Sequence, residues 1–195
     1  FMTIPQKEYA VRRKKIMASL RGASGVVFAG ERDEHGESSW RPHPHFEYLT
    51  GICHEPGAVL LFDPTHPVDI KREVLFLKPL NPEKEQWDGL RSPLNNALRE
   101  ETGFRIILRT TKLDVVLQDV VMRSKLFATL MPTSGASSSV SQDLSVWQKI
   151  AQRTPQCDIQ DKSHLIPNMR MVKSSSEISI IQEAVNITAN GFANA

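Results

Sequence analysis

His43, His45, Cys53, His54 and Glu55 place metal-binding and proton-moving side chains within the span 43–55. Alternate residues of an extended segment point the same way, so His43-Pro44-His45 has the spacing of a two-histidine chelate. Structural zinc sites, however, carry Cys/His pairs at both ends, and catalytic ones need three defined ligands. One loop with Pro42 and Pro44 does not supply them. The histidines are therefore expected to be solvated or hydrogen-bonded, and no residue is assigned to a metal. Cys53 belongs to no nucleophile motif and no G-x-S-x-G elbow occurs, so it reads as a small buried apolar residue. Phosphate loops and dinucleotide-binding turns are missing from the sequence as well. No residue is assigned a catalytic role.

A second candidate is Trp87, in "EKEQWDGLR" from Glu83 to Arg91. Charged residues surround it and Asp88-Gly89 follows, a poor setting for a core side chain. An exposed tryptophan is a favoured anchor for a ligand or a second subunit. The competing reading folds Trp87 back over the edge of its own domain. The basic run Arg12-Arg13-Lys14-Lys15 lies on an expected helix and reads as a solvated face.

The elements that must position these residues follow from periodicity. Tyr9, Ile16, Met17 and Leu20, spaced among charges, predict an amphipathic helix over 5–20 with Thr3 as its cap. A short strand is expected over 26–29, followed by a polar, proline-containing loop over 30–45 whose length is often functional. The stretch from His45 to Pro64 reads as an aromatic cluster and a polar turn between two strands. Further strands are expected over 58–62 and 73–77. Ser92 as N-cap, Pro93 in the first turn and Gly103 past the end frame a short helix. "FRIILR" and "LFATLM" read as strands. One helix is expected to bury Leu113, Val116, Leu117 and Val120, and another Val140, Leu144, Trp147 and Ile150. The alternation from residue 104 onward predicts an α/β fold, with a mixed, largely parallel sheet flanked by helices.

Ser174-x-x-Glu177 is a capping box, and Ile178, Ile181, Val185 and Ala189 follow at helical spacing. This helix is expected to open a second domain, dividing the chain into a domain at 1–172 and a connecting helix at 173–195.

Composition bounds the partners. At 195 residues and 40% hydrophobic content the chain can bury a core without staples. A formal charge of +2 gives no reason to expect nucleic acid. No apolar run reaches membrane-spanning length, and two cysteines far apart in sequence fit a reducing cytoplasm better than a disulfide framework.

Three segments together resemble the N-terminal domain of aminopeptidase P, within the creatinase/prolidase group of pita-bread metallopeptidases. They are "FEYLTGICHEPGAVLLFDP", "LFLKPLNPEKEQWDGLR" with its E-x-W-x-G-x-R pattern, and "LIPNMRMVKSSSEISIIQEAVNITANGF" with M-R-x-x-K-S-x-x-E-I. The resemblance implies a ribonuclease H-like domain in which Thr50-Gly51 and Glu55-Pro56-Gly57 are turns between strands. It further implies a Xaa-Pro aminopeptidase acting on peptides with proline at the second position. The enzyme's two manganese ions would be held in a C-terminal domain outside this chain. In tetrameric members the loop tryptophan reaches a neighbour's cleft, so Trp87 and Arg91 are carried over as substrate-contacting residues and a dimer or tetramer is expected. Prolidase or creatinase, or a peptidase-like binding module as in a histone chaperone, are the alternatives. The lead-in Arg41-Pro42-His43-Pro44-His45-Phe46 departs from the family's polar R-Q-x-S-D-F.

Overall fold

The computed structural model describes residues 3–32, 40–79 and 94–193. Trp87, Arg91, Ser92 and Pro93 lie outside them.

Short, mostly continuous apolar runs make the sheet. Its strands are β1 (Ser24–Phe28), β2 (Val59–Phe62), β3 (Glu73–Leu77), β4 (Ile106–Arg109), β5 (Leu126–Thr129) and β6 (Asp158–Asp161). They pair in the order β4-β3-β2-β1-β5-β6. The β3–β4, β1–β5 and β5–β6 ladders are parallel; β2 runs against both of its neighbours. The expected mixed, largely parallel sheet is what forms.

Each central strand sends alternate side chains to opposite faces. Leu60, Phe62, Leu75 and Leu77 join a core with α1 (Gln6–Ser19) and α2 (Pro44–Thr50), together with α3 (Asn96–Thr102) and α6 (Leu165–Met171). Val59, Leu61, Val74 and Phe76 join the other core, with α4 (Leu113–Arg123) and α5 (Gln142–Ala151). In that second core Trp147 stacks on Phe127 at 4.4 Å and donates Nε1–H to the Ala128 carbonyl at 3.0 Å. Burial on both faces explains why these strands read as continuous apolar runs.

The last helix, α7 (Ser175–Ala193), opens with the expected capping box: Ser174 N–H donates to Glu177 and Glu177 N–H to Ser174 Oγ, at 2.9 and 3.1 Å. Its residues Ile178, Ile181, Val185 and Phe192 are all more than half exposed.

Several expectations are corrected. Residues 44–50 form a helix, not a strand or loop: Pro44 suits the first helical turn and His43 Nδ1 caps it by accepting from His45 N–H at 3.1 Å. Thr50-Gly51 is the C-cap of that helix rather than a turn between strands. Gly51 has φ 71, and a Cβ there would lie 2.6 Å from the Tyr9 ring. The N-cap of α3 is Asn95, not Ser92, and that of α1 is Pro5, not Thr3. Val140 precedes α5 and is 50% exposed; Leu113, Val116, Leu144 and Ile150 are half-buried. Strand β6 and helix α6 were not expected from the sequence.

Only half of the basic run is a solvated face: Lys14 and Lys15 are exposed, whereas the two arginines are not. Arg12 and Arg13 are 5% and 1% exposed. Arg13 bonds Glu73 at 2.9 Å and the Leu49 carbonyl at 3.0 Å, and stacks on Phe104. Arg12 bonds Glu8, Glu177 and the Tyr48 carbonyl and lies over the Tyr48 ring. It thus ties α7 to α1 and α2. Burial alone would raise the Glu8 carboxyl, but hydrogen bonds from Ser174, Ser176 and Arg12 hold it below its ordinary value.

Candidate functional site

Ligands of open α/β sheets bind beyond the carboxyl ends of the parallel strands. At that edge β1 ends at Phe28 and β3 at Leu77, and β2 begins at Val59. The chain segments leaving β1 and β3 are locked together there. Glu31 and Lys78 form an ion pair, Gly57 N–H donates to the Gly30 carbonyl at 2.8 Å, and Arg109 donates to the Lys78 carbonyl at 2.8 Å. Trp40 Nε1–H donates to the Glu31 carbonyl at 3.1 Å. Gly57 is required: at φ 72, a Cβ would stand 2.2 Å from Lys78 Cε and 2.8 Å from Glu31 Oε1. Beside the pair lies a cavity of about 210 Å³, lined by Phe28, Glu31, Val59, Lys78, Thr110 and Gln142. Glu55-Pro56-Gly57 is therefore the support on which these two chain segments converge. Trp87 and Arg91 follow Lys78 in sequence but lie outside the described residues.

His43 and His45 sit behind this edge. His43 N–H donates to the Ala29 carbonyl at 2.8 Å, which fastens α2 to the end of β1. The two rings meet edge to face, with centroids 4.8 Å apart. His45 is 4% exposed, and its Nδ1 has no hydrogen-bond partner. Burial pushes its pKa down to about 4; the neighbouring His43 and Arg170 act in the same sense, while the Leu130 carbonyl and Asp143 oppose. Burial also lowers His43, with Arg170 adding to it and Asp143 opposing. Because His43 Nδ1 already accepts the His45 amide, its proton sits on Nε2, and neither ring nitrogen is left as a free lone pair. Among the described residues no group of three or more His, Cys, Asp or Glu side chains could hold a metal ion.

Cys53 is exposed, not buried as expected. Partial burial of the thiol and the Glu47 carboxylate, 3.6 Å from Sγ, push its pKa up, so it stays a thiol and a weak nucleophile. His54 is exposed and Glu55 buried. Sequence reasoning missed Asp143: its carboxylate is fully buried and accepts from Leu130 N–H, Met131 N–H and Leu144 N–H at 2.7, 2.8 and 2.8 Å. It joins the end of β5 to the start of α5. An acidic residue in the first turn of a predicted helix was the available signal.

The family model for the aminopeptidase P N-terminal domain matches residues 9–128. The chain belongs to this family. Along 98% of its length it is 26% identical to a Xaa-Pro aminopeptidase from Haemophilus influenzae, covering 43% of that protein. It is 27% identical to Xaa-Pro aminopeptidase 3 of Dictyostelium discoideum, over 97% of this chain and 36% of that one. The structure of Pseudomonas aeruginosa aminopeptidase PepP superposes with a TM-score of 0.76 at 25% identity, over 97% of this chain and 44% of that one. This aminopeptidase P-type domain spans less than half the length of these relatives. Among its described residues no helix is long and apolar enough to cross a membrane.

Proposed function

We propose that this domain is the N-terminal part of a cytoplasmic, metal-dependent Xaa-Pro aminopeptidase, which releases the N-terminal residue preceding proline. The observation that carries the reading is similarity to Xaa-Pro aminopeptidases over 97–98% of the chain, together with the match of residues 9–128 to the aminopeptidase P N-terminal domain. The apolar stripe on α7 supports it, because the connecting helix at 173–195, clamped to the domain by Arg12 and Glu177, leaves that stripe for a domain that would follow it.

The two manganese ions the family implies find no ligand set among the described residues. The catalytic ions would be held by residues of the C-terminal domain, and this chain would be silent alone. Its own contribution would be a wall of the substrate cleft and a contact between subunits of a dimer or tetramer. Lys78, fixed by Glu31, roots the segment carrying Trp87 and Arg91 at the carboxyl edge of the sheet. Trp87 would offer an apolar plate and Arg91 a charge to a short peptide with proline at its second position.

The test compares manganese-dependent release of the first residue from a Xaa-Pro tripeptide by this chain and by a chain continued through a C-terminal domain. Activity confined to the longer chain is expected. Activity in neither would favour a peptidase-like binding module, and activity in this chain alone would overturn the reading.

A further inference from the structure

The opposite edge of the sheet, where β3 starts and β2 ends, holds a groove of about 830 Å³ between α1, the turn after β2 and the start of β4. That is the size of a ligand cleft, and it lies away from the Glu31–Lys78 edge. Four cations line it: Arg13, Lys14, Arg72 and Arg105. Its two carboxylates are already spent, Glu73 on Arg13 and Asp69 on Arg72, each at 2.9 Å. Lys14 and Arg105 are exposed, stand on different walls, and have no carboxylate partner among the described residues. Among the described residues the groove therefore carries two positive charges without a carboxylate partner, in a chain whose net charge is only +2.

Gly103 forms part of the lining, and a Cβ there would approach Gln6 Oε1 to 3.3 Å and Arg13 Nη2 to 4.0 Å. This glycine is the C-cap of α3, at φ 72, and leaves that part of the lining without a side chain. Between the charges the walls are aliphatic, with Met17 and a 40%-exposed Ile70. A lone phosphate would use the cations and leave these walls wet. A nucleic acid backbone would need a longer basic track than two free cations provide.

We propose that this groove binds an acidic, leucine-type segment of a partner polypeptide, with carboxylates on Lys14 and Arg105 and aliphatic side chains on Met17 and Ile70. The mode is charge-complementary peptide recognition, with a partly apolar floor supplying contact area. It is independent of peptidase activity.

The test is fluorescence anisotropy of the chain with a labelled peptide of alternating Glu and Leu, alongside the same peptide with Gln for every Glu. Saturable binding of the Glu peptide is expected, weakened about tenfold by the Gln exchange and by the double reversal Lys14→Glu/Arg105→Glu, since two exposed charge contacts contribute modestly each. Both reversed side chains are exposed, so the urea midpoint should stay put and report an intact fold. Met17→Ser should weaken binding without changing its salt dependence. Equal binding of the Gln peptide, binding unaffected by the double reversal, or no binding of the Glu peptide would overturn the assignment. So would displacement of the peptide by inorganic phosphate or a DNA duplex at equal charge concentration.

Discussion

His45 makes stability depend on pH in a window where carboxylates contribute little. The ring is 4% exposed, Nδ1 has no partner, and His43 and Arg170 discourage a second charge. In the unfolded chain the ring titrates at its ordinary 6.5, whereas in the fold it titrates at about 4. A depressed histidine pKa means that the unfolded state takes the proton first. The contribution is therefore fully present above pH 6.5 and is lost as pH falls toward 4. Between about pH 7.5 and about pH 5 the loss works out at about 2 kcal/mol, rising to about 3 kcal/mol once both states are protonated. His43 is lowered too and adds in the same direction. Urea unfolding at the two pH values should show this loss, and His45→Gln, which cannot titrate, should remove most of it while leaving the remainder from His43. The Asp143 carboxylate and Leu130 carbonyl, which face the ring, stay in place in that variant. An equally steep pH dependence in His45→Gln would refute the assignment of the proton to this ring.

Arg13→Met should destabilise the domain by about 3 kcal/mol in urea unfolding, because Glu73 and the Leu49 carbonyl lose a donor that is 1% exposed. Asp143→Ala should cost about 2–3 kcal/mol by the same assay, leaving the amides of Leu130, Met131 and Leu144 without their acceptor. Gly57→Ala should cost more than about 1 kcal/mol, since it combines a left-handed φ with displacement of Lys78 from Glu31; a neutral result would contradict the close approach described for that turn. On the proposed function, Trp87→Ala in a chain continued through a C-terminal domain should lower kcat/KM on Xaa-Pro peptides about tenfold, with metal content and urea midpoint unchanged. Unaltered kinetics would remove Trp87 from the cleft.

Local patterns in the chain carried much of the fold by themselves. The apolar runs Val74–Leu77 and Val59–Phe62 specify strands buried on both faces. Ser174-x-x-Glu177 specifies its own helix start, because both partners of the capping box lie within one turn. Family membership was legible for the same reason, since its three motifs are contiguous segments. What tertiary structure decided depends on partners distant in sequence. Arg12 and Arg13 look like surface charges until Tyr48, Leu49, Glu73 and Glu177 arrive to pair with them. Asp158–Asp161 has one apolar residue and becomes a strand through its ladder with β5. His45 could have been a ligand or a solvated ring; packing between α2 and the end of β5 made it a buried neutral base instead. Burial of a charge or a ring is a property of the whole packed chain, whereas a cap or an apolar strand is written within a few residues.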